Sequence, residues 1–169
     1  MSLSVRRMGR MVTQQNVTHV RPTILSDVSI VADGLRAADT AEVQAQSGAT
    51  PREGLLFCYF MSKPCMTLVS RHGKPIAMWG VVPNELGSGR IWLLGHQSMF
   101  EDPCDKGYFL RESKIQLAKL HKQYSVLFNE VDARNKIHIR WIQWMGFTFI
   151  RKHPQWGPEG RLFYEFVRI

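Results

Sequence analysis

The stretch Asn129–Phe147, NEVDARNKIHIRWIQWMGF, constrains this chain more than any other. Leu127, Asn129 and Val131 alternate with Val126, Phe128 and Glu130, the period of a strand. After a polar break, Ile139, Trp141, Ile142 and Met145 fall at helical spacing, with Arg140 and Gln143 between them. Asn135 stands where a side chain caps a helix. Gly146 stands where an αL residue closes one, because glycine has no Cβ to clash at positive φ. Phe147 then opens a strand over Phe147–Lys152. Upstream, the apolar run Ile91–Gly95 reads as a central strand buried on both faces, followed by a helix over Gly107–His121 and a strand over Ser125–Val131. Strand, helix and strand in about 40 residues imply a right-handed crossover between parallel strands.

The first half of the chain reads as helices and a hairpin. Val17–Pro22 alternates as a first strand. Ser26 is placed to cap the next helix, whose buried stripe is Val28, Val31, Ala32 and Leu35. Asp39-Thr-Ala-Glu42 reads as a capping box that opens a short helix closed by Gly48. Thr50-Pro51-Arg52-Glu53 reads as a second box, with proline at N1 where no amide is needed. The helix it opens, Pro51–Met61, is apolar on most faces, so Phe57, Tyr59 and Phe60 are expected in the core, and Pro64 stops it. Cys65–Ser70 and Pro75–Val82 flank a glycine turn as an antiparallel hairpin, and Asn84–Gly89 is a second turn. The chain closes with the loop HPQWGPEG and a strand over Leu162–Val167.

These pieces carry a resemblance. Asn135, Gly146-Phe147 and the apolar face between them resemble the last strand–helix–strand of the GNAT (Gcn5-related N-acetyltransferase) superfamily. With RPTILSDV, LRAADTAEVQAQSG, PIAMWGV and WLLG, the pattern resembles more closely a GNAT-like family of tailed bacteriophages that includes internal virion proteins of the A-like type. The resemblance spans about Arg21 to Phe147. It implies a mixed α/β fold of about seven strands, with a central splayed parallel pair and four to five helices.

Length and composition set outer bounds. The 169 residues are expected to form a basic arm over residues 1–16, mobile or ordered by a partner, and one domain over residues 17–169. The longest apolar runs, LLFCYFM and IAMWGVV, fall short of the roughly 20 residues a membrane helix needs. Arg6, Arg7 and Arg10 are followed by no apolar run, so no secretory leader is expected. Three unpaired cysteines and scattered histidines point to reduced thiols and to no metal site. The net charge of +8 is concentrated at the ends: residues 1–16 hold three arginines and no acid, and residues 134–169 hold seven basic side chains and two acids. Such ends suit nucleic acid, or simply a solvated surface.

The resemblance also implies where chemistry would sit. GNAT enzymes seat acetyl-CoA between the splayed strands, with the pyrophosphate on backbone amides at the start of the following helix. The matching positions here are Leu94, Gly95, Lys106, Gly107, Tyr108 and Asn135. Two positions depart from the family loop: Cys104 replaces its Gln or Arg, and Phe109 its second small residue. Glu101, Asp102 and Asp105 add negative charge where a pyrophosphate would lie. The family's tyrosine acid is matched by Ile142, which cannot donate a proton. Glu130 and His96 are the nearest candidates for a base, and each has a plain reading as a strand-end acid or a loop histidine.

Two functions follow. In the first, the chain requires no cofactor and serves in virion assembly or as an internal virion protein, in the host cytoplasm or the particle. Its partners would be other phage structural proteins, with nucleic acid at the basic termini and no membrane. In the second, it is an acetyl-CoA-dependent N-acetyltransferase of unknown acceptor.

Overall fold

The computed structural model describes residues 17–169. The basic arm expected over residues 1–16 lies outside the described residues. Seven strands form one sheet: β1 (His19–Pro22), β2 (Cys65–Val69), β3 (Pro75–Pro83), β4 (Ser88–Gly95), β5 (Val126–Asp132), β6 (Thr148–Trp156) and β7 (Arg161–Arg168), in the order β1-β2-β3-β4-β5-β7-β6. Every neighbouring pair is antiparallel except β4 with β5. The helices are α1 (Leu25–Asp33), α2 (Ala37–Ser47), α3 (Pro51–Met61), α4 (Pro103–His121) and α5 (Lys136–Trp144). This is the mixed α/β architecture expected from the sequence.

The sheet carries a core on each face. Residues of α1 and α3 (Val28, Val31, Leu55) pack with Met78 and Trp92 on one face. Residues of α4 and α5 (Leu117, Leu120, Ile142) pack with Val81, Leu127 and Val131 on the other. Alternation along β3 and β4 sends successive side chains to opposite helical layers. Ile91, Leu93 and Leu94 are only half-buried, because they line a cavity rather than a closed core.

Most local signals hold. Thr50 and Glu53 form the reciprocal box, Thr50 Oγ1 accepting from the Glu53 amide at 3.3 Å and Glu53 accepting from the Thr50 amide at 2.8 Å. Gly146 has φ +83°, and the amides of Gly146 and Phe147 reach the carbonyls of Gln143 and Ile142, a Schellman closure.

Other expectations are corrected. The first helix is capped at Ile24, not Ser26: the Asp27 carboxylate takes the Ile24 amide at 3.1 Å. The third helix is not deeply packed. Only Leu55 is fully buried, and Phe57 and Phe60 are 60% and 70% exposed, since α3 lies on the outside and turns that stripe to solvent. β6 runs on to Trp156, so His153–Trp156 is strand rather than loop. As an edge strand it tolerates Pro154, which falls in the irregularity of the β6–β7 pairing between His153 and Trp156. The helix expected from Gly107 starts at Pro103, with Asp102 as its cap. Among the described residues, no helix is long and apolar enough to cross a membrane.

Candidate functional site

β4 and β5 pair only at Ser88–Arg90 with Val126–Phe128, and then part. Side chains replace the missing ladder. Asn129 Nδ2 donates to the Ile91 carbonyl at 2.7 Å, and the Arg90 guanidinium bonds Asn129 Oδ1 at 2.9 Å and the buried Glu130 carboxylate. Beyond this clasp the strands enclose a cavity of about 580 Å³. Its walls are mainly apolar, with Ile91, Leu94, Phe109, Trp141 and Met145 among them. Glu42, Arg90, Asn129, Glu130 and His138 supply its polar part. Backbone groups of alternate strand residues point to the same side, and those of Ile91 and Gly95 face the gap. Leu93 therefore presents its N–H and C=O to the cleft.

A buried polar network closes one end. Asp39 and Glu42 do not form the capping box expected from the sequence, because α2 begins two residues before Asp39, with Arg36 at its cap. Both carboxylates are buried inside the fold. Asp39 accepts from Arg36 Nε and Nη2 at 3.0 and 2.8 Å, and from the Gly95 amide at 3.0 Å. Asn135 caps α5 through Oδ1, at 3.3 Å from the His138 amide, and its Nδ2 donates to Glu42 at 2.8 Å. One asparagine thus ties the start of α5 to α2. Sequence reasoning found Asn135 and missed Asp39 and Glu42, since an S/T/D-x-x-E pattern looks the same whether it caps a helix or is buried within one.

The other candidates are dispersed. His96 does not line the cavity. It is buried, and its Nδ1 accepts from the Ser98 amide at 3.0 Å. A Cβ on Gly34 would lie 2.0 Å from its Nε2, so the ring is packed against that glycine. Burial, and then the charge of Lys74, lowers its pKa. Glu130 does line the cavity, but its carboxylate is engaged by Arg90. Tyr108 packs against the cluster around Leu68 and Ile76, and burial raises its phenol pKa. Ile142, at the tyrosine position, is 1% exposed in the core.

The start of α4 decides whether acetyl-CoA fits. Gly107 and Phe109 lie in the second turn of the helix, not in a loop open to phosphate. The first turn already holds an anion. Asp102 Oδ1 accepts from the Cys104 amide at 2.8 Å, and Oδ2 from Arg71 Nε at 2.6 Å. The Cys104 amide and the Arg71 pair hold this carboxyl below the usual range against its desolvation. Pro103 contributes no N–H. Asp105, buried, accepts from Thr18 Oγ1 and from the Arg71 amide at 3.0 Å. Phe109, in place of a small residue, stacks on Trp141 with centroids 5.8 Å apart, narrowing the passage between α4 and α5. The cleft offers room for an extended chain, but the residues at the helix start do not fit a pyrophosphate.

The architecture is shared with known acetyltransferases. The structure matches Ard1 from Thermoplasma volcanium with TM-score 0.70 and 17% identity, covering 90% of this chain and 97% of that one. It matches the spermidine N-acetyltransferase from Vibrio cholerae, solved in complex with CoA and spermine, with TM-score 0.67 and 10% identity over 89% and 94% of the two chains. The ribosomal-protein-S18-alanine N-acetyltransferase from Escherichia coli matches with TM-score 0.62 and 13% identity over 89% and 92%. The chain therefore carries the GNAT acetyltransferase fold. Its sequence matches no protein-family model and no curated protein.

Proposed function

We propose that this is a GNAT-fold protein whose work is not acetyl transfer. It serves instead in the phage assembly or internal virion role that its sequence resemblance implies, with other phage structural proteins as partners. The observation that carries this reading is the Asp102 carboxylate on the first amides of α4, braced by Arg71. A carboxylate there occupies the positive end of the helix and repels a pyrophosphate brought beside it. Ile142 at the tyrosine position and Glu130 held by Arg90 point the same way. A second reading, an acetyl-CoA-dependent N-acetyltransferase of unknown acceptor, is favoured by one observation. The splayed strands leave a cleft of about 580 Å³ with the Leu93 backbone facing it.

Titration calorimetry with acetyl-CoA on the full chain separates the two. No saturable binding is expected at ordinary salt, and a micromolar or tighter Kd would overturn the first reading in favour of the second.

A further inference from the structure

The helices on the two faces of the sheet differ in charge. The segment 25–61, whose helices cover one face, holds two arginines and five carboxylates. The segment 103–144, whose helices cover the other, holds eight lysines and arginines and four carboxylates. Burial takes Asp27, Asp39 and Glu42 out of the first surface and leaves it near neutral, whereas the second stays basic. Asp105, Glu130 and Asp132 are buried and bonded to Thr18, Arg90 and Arg134. The fourth, Glu112, is half-buried and accepts from Gln116 at 2.7 Å. Lys106, Arg111 and Lys114 on α4, and Lys136 and Arg140 on α5, are all exposed. None of these five forms a salt bridge among the described residues.

Lys106 and Lys114 lie at the seam where α4 and α5 meet, and Arg111, Lys136 and Arg140 are exposed on the same two helices. Leu110, Ile137 and Trp144 are exposed there, and Lys114 Nζ lies 4.4 Å from the centroid of the Trp144 ring. A hollow of about 270 Å³ opens in the seam, with Arg36 and Lys106 in its wall. Trp144 is a half-exposed ring at the edge of α5, held by a lysine.

We infer that the α4–α5 seam binds single-stranded nucleic acid, with phosphates on the five cations and a base on Trp144. Cations fixed on two packed helices and free of carboxylate partners bind a polyanion by releasing its counterions. An exposed indole offers a stacking face to any base. The Lys114 ammonium above that ring can turn to a phosphate as the base arrives. An anionic bilayer would meet the same cations but bury the exposed Leu110 and Ile137 rather than stack a base on Trp144. Trp144 is 46% exposed, with the Lys114 ammonium over its ring. The hollow shares Leu93, Phe109, His138 and Trp141 with the cleft, so the inference rests on the reading that the cleft does not take acetyl-CoA.

The test is an anisotropy titration of the full chain with a labelled oligothymidylate between about 50 and 200 mM salt. Log K is expected to fall linearly with log salt, with a slope near −3.5 if all five cations engage phosphates at about 0.7 each. Lys114→Glu with Arg140→Glu is expected to weaken binding at least tenfold at low salt and to flatten the slope by about 1.4. Trp144→Ala is expected to weaken it by a factor between about five and a hundred at unchanged slope. Both variants are expected to keep the wild-type melting temperature. Four results would overturn the inference: no binding at low salt; binding unchanged in the double variant but lost on reversing Arg6, Arg7 and Arg10; binding to phosphatidylserine vesicles but not to the oligonucleotide; or displacement of the oligonucleotide by CoA.

Discussion

Replacing Asp39 by alanine separates two accounts of the same four residues. If Asp39 only capped a helix, its loss would cost about 1 kcal/mol. In the structure it is 1% exposed and anchors the end of β4 to α2. Alanine would strip a bidentate partner from Arg36, whose side chain is itself largely buried. Breaking such a pair from one side costs about 3–5 kcal/mol, because the remaining charge is left uncompensated. It would also orphan the Gly95 amide, and an unsatisfied buried donor costs about 1–3 kcal/mol. The two terms share one carboxylate and are not added in full. A loss of about 3–5 kcal/mol is therefore expected in urea unfolding at neutral pH. Asp33→Ala, at an exposed carboxylate on α1, should change stability by less than about 0.5 kcal/mol. Asp39→Asn, which retains an acceptor for Gly95, should fall between them. A loss of about 1 kcal/mol or less in Asp39→Ala would refute the buried-network account and restore the capping one.

Gly146→Val should cost about 1–3 kcal/mol, the range for forced backbone strain, since φ is +83° there and the nearest atom to a new Cβ, Arg168 Nε, stands at an ordinary 3.6 Å; an unchanged melting temperature would mean that the α5–β6 turn relaxes freely. Acid stability should depend on Asp27. Burial alone would raise its carboxyl pKa, but bonds from Arg21, the Ile24 amide and Thr67 outweigh burial and hold it below the usual range. A group depressed in the folded state binds its proton first in the unfolded chain. Its contribution is thus present above about pH 4 and lost as pH falls below that. Thermal melts from about pH 5 to 3 should show this loss, shallower in Arg21→Met, and equal profiles for the two proteins would rule Asp27 out as its source.

Local chemistry was enough to recover much of this protein from its residues. The Thr50–Glu53 box and the Gly48 and Gly146 closures each rest on contacts between near neighbours, so the residues that make them stand close in the sequence. The apolar period of β4, α4 and β5 added the parallel pair, and with it the fold class. Tertiary structure decided what lay between those elements. Asp39 and Glu42 carry the same pattern as a cap, and only the approach of Gly95 and Asn135, from distant strands and helices, turns them into a buried network. Phe57 and Phe60 look like core, yet their depth depends on which side of α3 the sheet lies. The four-residue error at the start of α4 placed Gly107 in a phosphate loop. The structure puts it inside a helix whose first amides Asp102 has already taken, with Arg71 brought across from the β2–β3 turn. Period and capping act over a few residues and are written locally. Burial, charge neutralisation and the emptiness of a cleft depend on which distant side chains arrive, and no short stretch of the chain contains that information.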